Sequence, residues 1–129
     1  DHLLDVAAGT RAVLEGVTHA IRDSFDALSA TDTRIERLIA VGGGSRSEYW
    51  LRAIATSLDM PVEVPVGGDF GAAFGAARLG MMAATGAGRE IAAPPAMDRI
   101  VRPDRALVRA FADAHARYRA TYNALKDLS

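Results

Sequence analysis

The chain has 129 residues, 15 Lys and Arg against 16 Asp and Glu, a formal net charge of −1, 50% apolar residues and no cysteine. That length suits one domain with a real core. The balanced charge, with no basic residues interleaved with aromatics, argues against a nucleic-acid partner. The lack of cysteine excludes disulfides and thiolate metal sites and fits a cytoplasmic protein.

In chain order, residues 1–8 are apolar and read as helix or lead-in. A helical pattern already under way at Asp1, where no Met stands, suggests a piece of something longer. No signal-peptide pattern is legible. Over 10–28, Leu14, Val17, Ile21, Phe25 and Leu28 step by three and four, the stripe of an amphipathic helix. Gly16 interrupts it, which suggests close packing there. His19 has no second histidine near it in sequence and reads as a core or solvated residue rather than a metal ligand.

Residues 29–34 form a polar turn. Residues 35–41 follow as a strand, and the unalternating run Leu38-Ile-Ala-Val41 predicts cover on both faces. Gly42, Gly43 and Gly44 come at once, then Ser45-Arg-Ser-Glu48, a capping-box pattern in which Ser45 bonds the Glu48 amide. Trp50, Leu51, Ile54 and Leu58 continue at helical spacing. Strand, glycine turn and helix start together let a ligand lie flat against backbone and meet free amides; a tight turn without a ligand is equally consistent. A P-loop is excluded because no Gly-Lys-Ser/Thr follows. Ser47 also breaks both Gly-x-Gly-x-x-Gly and Gly-x-Ser-x-Gly.

Met60-Pro61 ends the second helix. Residues 62–66 alternate as Val-Glu-Val-Pro-Val, and Pro65 marks an edge strand. Gly67-Gly-Asp69 is the next turn, with Asp69 read as a helix cap in preference to a functional carboxylate. Residues 71–85 form a buried helix whose small face (Gly71, Ala72, Gly75, Ala76) permits close approach to a sheet; with Arg78 inside, the stretch to 87 is short for a membrane span. Gly86 stops the helix. Pro94-Pro95 makes 87–103 irregular. From Asp104, Leu107, Phe111, Ala114, Tyr118, Tyr122 and Leu125 stripe a long last helix. Arg105, Arg109, Arg117 and Arg119 read as solvated, and His115 as partnerless. The order is α/β, helices on a parallel strand pair. Two strands make a poor sheet, so others are expected from elsewhere.

Three stretches in order carry a resemblance. Arg11-Ala-Val-Leu-Glu-Gly-Val-Thr-His-Ala-Ile-Arg-Asp23 resembles a helix in the C-terminal domain of the FGGY carbohydrate kinases. Val41-Gly-Gly-Gly-Ser-Arg-Ser-Glu-Tyr-Trp50 resembles their adenosine motif. Gly67-Gly-Asp-Phe-Gly-Ala-Ala-Phe-Gly-Ala-Ala-Arg-Leu79 resembles the strand-to-helix segment that follows it. The resemblance covers nearly the whole chain and implies that residues 1–129 are the C-terminal part of the nucleotide-binding domain. That domain is actin-like (ribonuclease H-like), and its first three strands would be absent here. ATP would lie on Gly43 and Gly44, with Gly42 supporting the turn, Ser45 beside it and Ser47 facing the base where some relatives have Asn. Mg²⁺, the catalytic aspartate and the pentulose would be held mainly outside these residues, in a missing N-terminal domain. Glu15 and Asp69 resemble recurring family positions and are given structural roles.

The form of the glycine run is typical of members acting on D-xylulose, so the implied reaction is transfer of the ATP γ-phosphate to D-xylulose, with these 129 residues alone inactive. Glycerol, gluconate, ribulose or rhamnulose as the acceptor is one alternative; a non-catalytic actin-like nucleotide-binding module is another. A dinucleotide-binding fold ranks low, because the glycines are wrongly spaced and Glu63 lies inside the next strand. An open sheet edge and apolar helix faces would favour a homodimer.

Overall fold

The computed structural model describes residues 5–68 and 71–127. Helix α1 spans Val6–Ser29, capped by the Asp5 carboxylate, which accepts from the Ala7 amide. Strand β1 is Leu38–Ile39 and α2 is Glu48–Leu58. Strand β2 is Val62–Pro65, α3 Gly71–Thr85, β3 Met97–Val101 and α4 Val108–Leu125. Short 3-10 turns cover Gly43–Arg46 and Arg89–Ala92.

The expected parallel pair exists, with Leu38 opposite Val62 and Ile39 opposite Glu63. It is not the whole sheet. β3 lies antiparallel to β2 on its other side, so the described sheet is mixed, in the order β1-β2-β3. β2 is therefore central, correcting the edge-strand reading. Pro65 is tolerated because it ends the strand at an irregularity between Val64 and Pro65. Residues 97–101, expected to be irregular, form a strand because Pro94-Pro95 precedes it rather than interrupting it.

Period-two alternation sorts this sheet into two faces. Leu38, Val62 and Val101 share one face and meet Leu51, Ala55 and Ile54 of α2; with Val64 they form the core. Ile39, Glu63 and Ile100 share the other, where Ile39 is 47% and Ile100 51% exposed. Among the described residues, strand β1 is thus covered on one face, not two. The expected second cover, α3, has no buried residue at all. Its small residues make no close approach along the helix: a Cβ at Gly75 would meet nothing within 4 Å, and only at its first residue would one at Gly71 come 3.3 Å from Gly42. Gly16 likewise faces open space.

α1 packs beside α2, and α4 against both. Of the α1 stripe, Leu14, Ile21 and Phe25 are half-buried, while Val17 and Leu28 are exposed; Thr18 and His19 are the buried pair. Arg22 joins the helices by donating to the Ser57 carbonyl in the last turn of α2, a favourable place for a cation. The Asp104 amide donates to Thr56 Oγ1 at 3.0 Å, seating the approach to α4 on α2. The α4 stripe is buried only in part: Phe111, Ala114 and Tyr118 are half-buried, whereas Tyr122 and Leu125 are exposed. His115 is not partnerless, since its Nε2 lies 2.9 Å from Asp23 Oδ1. Arg119 stands 3.5 Å from the same carboxylate and Arg105 pairs with Asp59, and both side chains remain solvent-exposed as expected.

Candidate functional site

Two glycine turns leave the C-terminal ends of the two parallel strands, where ligands of open α/β sheets collect. The Gly42 amide donates to the Gly68 carbonyl at 2.7 Å, tying the turn after β1 to the turn after β2. Gly42 adopts φ 85° and ψ 179°, a conformation open in practice to glycine alone. A side chain at Gly68 would meet Pro65 at 2.9 Å. The cap expected of Asp69 lies outside the described residues.

The three glycines have three different environments. Gly42 sets the backbone direction. Gly43 is exposed, and a Cβ there would meet nothing within 4 Å. Gly44 backs onto the indole of Trp50, where a Cβ would fall 2.4 Å from Cζ3. The turn thus presents an open surface at Gly43 and is packed from beneath at Gly44.

The helix cap falls on Ser47, not on Ser45 as expected. Ser45 does not cap α2. It is buried in the 3-10 turn, and its hydroxyl donates to the Gly42 carbonyl at 2.7 Å. Ser47 is the cap, accepting from the Trp50 amide at 3.3 Å. The extra turn from Gly43 to Arg46 moves the helix start two residues along, which explains the shift. Both hydroxyls therefore have work inside the chain: Ser45 stiffens the turn and Ser47 starts the helix.

The rest of the motif fastens the turn to its surroundings. Glu48 pairs with Arg52 at 3.1 Å and lies 3.7 Å from Arg99. The Tyr49 hydroxyl donates to Glu15 Oε1 at 2.7 Å, and Arg11 Nε reaches the same oxygen at 2.7 Å. Burial opposes ionisation of Glu15, but the Tyr49 and Arg11 bonds outweigh it and hold its pKa below the ordinary value. Burial and then Glu15 push the Tyr49 hydroxyl up. Trp50 Nε1 donates to Thr18 Oγ1 at 3.2 Å. Glu15 is thus a bridge between α1 and α2, the structural role expected of it.

The sequence reading missed Arg99, which enters the site from the unforeseen strand β3 and donates to the Ser45 carbonyl at 3.1 Å. Period two from buried Val101 could have placed it on the α2 face, had the strand been recognised. Among the described residues no group of three or more His, Asp or Glu could hold a metal ion. Nor is any described helix long and apolar enough to cross a membrane.

This mixed α/β unit, with two glycine turns braced beside a helix start, has matches among known proteins. Residues 4–84 match the C-terminal domain of the FGGY family of carbohydrate kinases, and the chain belongs to that family. Its relatives include xylulose kinases: that of Escherichia coli K12 is 43% identical over 74 residues, 57% of this chain and 15% of the relative. That of Klebsiella pneumoniae is 32% identical over 92% of this chain and 25% of the relative. The crystal structure of a xyloylose kinase from Brucella ovis superposes with a TM-score of 0.83 at 55% identity, over 100% of this chain and 27% of that one. The chain therefore spans about a quarter or less of the length of these relatives.

Proposed function

We propose that residues 1–129 are the C-terminal part of the nucleotide-binding domain of an FGGY kinase that transfers the γ-phosphate of ATP to D-xylulose, giving D-xylulose 5-phosphate. The observation that carries this reading is the open glycine surface at Gly43, braced from below and joined to a second glycine turn at the ends of parallel strands. A nucleoside can lie flat there because no side chain intervenes. The xylulose kinases among the relatives support D-xylulose as the acceptor.

In this reading Gly43 and Gly44 pack against adenosine, Gly42 shapes the turn, Ser45 holds it rigid, and Ser47 faces the base from the start of α2. Their contribution is positioning. Phosphoryl transfer depends mainly on alignment and on neutralising charge, and Mg²⁺ supplies much of that neutralisation when bound. In this reading the metal, the pentulose and the base that takes the sugar proton are held mainly by residues outside these 129. The parent domain is actin-like and cytoplasmic, and the 129 residues alone are inactive. The open sheet face and the apolar exposed side chains Phe74, Leu79 and Met81 of α3 favour a homodimer of the isolated chain; a monodisperse monomer in light scattering would count against it.

The test is a coupled assay of ADP release by the full-length protein, offered D-xylulose, glycerol, gluconate, ribulose and rhamnulose in turn. Turnover dependent on D-xylulose is expected. Turnover with another acceptor alone would retain the nucleotide reading and discard the sugar. ATP binding without turnover on any acceptor would replace the kinase with a non-catalytic nucleotide-binding module.

A further inference from the structure

Arg99 stands where the sheet meets the glycine turn. Its neighbour two residues on, Val101, is buried in the core against α2. Alternation places Arg99 on that same face, opposite Val64 and near the end of the sheet where α2 begins. From there its guanidinium faces three acceptors. Nη2 donates to the Ser45 carbonyl at 3.1 Å, Nε lies 3.7 Å from Glu48 Oε2, and Nη1 lies 3.6 Å from Asp98 Oδ2. Arg99, Ser45 and Asp98 border a cleft of about 170 Å³ shared with Pro65, Gly67 and Gly68, between the two glycine turns.

The contacts span the turn. One reaches a backbone carbonyl inside the 3-10 segment, and another a carboxylate in the first turn of the helix that follows. A planar fork can serve both at once, whereas an ammonium is a point charge. The Arg99 side chain is 42% exposed, and ion pairs at such sites add little to folding stability. An arginine held this way fixes geometry rather than supplying stability.

We infer that Arg99 is a positioning residue for nucleotide binding: through the Ser45 carbonyl and Glu48 it holds the glycine turn in the shape that accepts the nucleoside. This rests on the nucleotide reading above.

The test is steady-state kinetics of the full-length protein carrying R99A or R99K, beside thermal unfolding. Loss of a uniform binding contribution raises KM with kcat unchanged, so R99A is expected to raise KM for ATP about five- to tenfold, with kcat and the sugar KM within about twofold. R99K, which keeps the charge but not the fork, is expected to fall between, at about two- to threefold. An unchanged KM for ATP in a folded variant overturns the inference, as does an equal fall of kcat and sugar affinity, which signals general damage. Should R99A fail to fold, R99K decides by the same criteria. Wild-type protein that binds no ATP would remove the nucleotide reading itself, and this inference with it; normal wild-type turnover with unaffected variants removes this inference alone.

Discussion

Replacing Gly44 by alanine separates a packing requirement from a ligand requirement. The added methyl would sit 2.4 Å from Cζ3 and 3.0 Å from Cε3 of Trp50, well inside van der Waals contact. The indole cannot swing away freely, because its Nε1 is bonded to Thr18 Oγ1 and Thr18 is fully buried. Thr18 in turn donates to the Leu14 carbonyl at 2.8 Å, so moving it disturbs α1 as well. Overpacking of this kind costs about 1–3 kcal/mol. At about 2.1 cal/mol/K per residue, the unfolding entropy of 129 residues is about 0.27 kcal/mol/K, so Tm should fall by about 4–11 °C. Thermal unfolding followed by far-UV circular dichroism measures this, with G43A as the control. Gly43 has open space and is not among the positive-φ glycines, so alanine there should be neutral or stabilising by up to about 1 kcal/mol. If G44A melts within about 2 °C of G43A, Trp50 does not close the space beneath Gly44 and the account of the turn is wrong.

In the full-length protein G43A should behave oppositely, raising KM for ATP severalfold without lowering Tm; an unchanged KM would remove Gly43 from the nucleotide surface. S47A should cost about 1 kcal/mol by removing the α2 cap, read as a drop in the denaturant midpoint. Acid should weaken the α1–α4 contact through His19. Burial first, and then His115, holds its pKa below the ordinary 6.5, so the folded chain keeps it neutral while the unfolded chain takes up the proton. Stability is then full above about pH 6.5 and declines as pH falls through that value towards the depressed one. Stability measured against pH should show this slope in the native chain and a flatter one in H19Q; identical slopes would exclude His19. Glu15, whose pKa is lowered, adds a second loss at more acid pH, below its ordinary 4.5.

The helices were legible because their apolar spacing is long and regular, and the glycine turn because three glycines separate two strong patterns. The strand at Met97–Val101 was not, since Met97-Asp-Arg-Ile-Val101 has no clean period-two alternation of apolar residues and follows closely on Pro94-Pro95. With it went Arg99. The serine caps were misassigned because Ser45 and Ser47 both suit the role, and only the intervening 3-10 turn decides between them. Burial of α3 failed for a different reason. Its composition is that of a covered helix, but a composition records that a surface prefers cover without saying which chain provides it. The pairing of His115 with Asp23, 92 positions apart, has no local signature at all.

The path between β2 and β3 closes on itself. The chain leaves the sheet at Val66 and returns at Ala96, and the Val66 amide donates to the Ala96 carbonyl at 2.9 Å. Inside this detour lie α3 and the Arg89–Ala92 turn, joined by Arg78, which donates to the Ala93 carbonyl at 3.0 Å. A detour with pinned ends behaves as a modular insert: changing its length alters loop-closure entropy by only about 0.6 kcal/mol per doubling and leaves the β2–β3 register alone. For protein engineering, residues near Gly86, which is exposed and ends α3 with φ 66°, are therefore the natural place to splice in a tag or a second domain, or to open new termini by circular permutation.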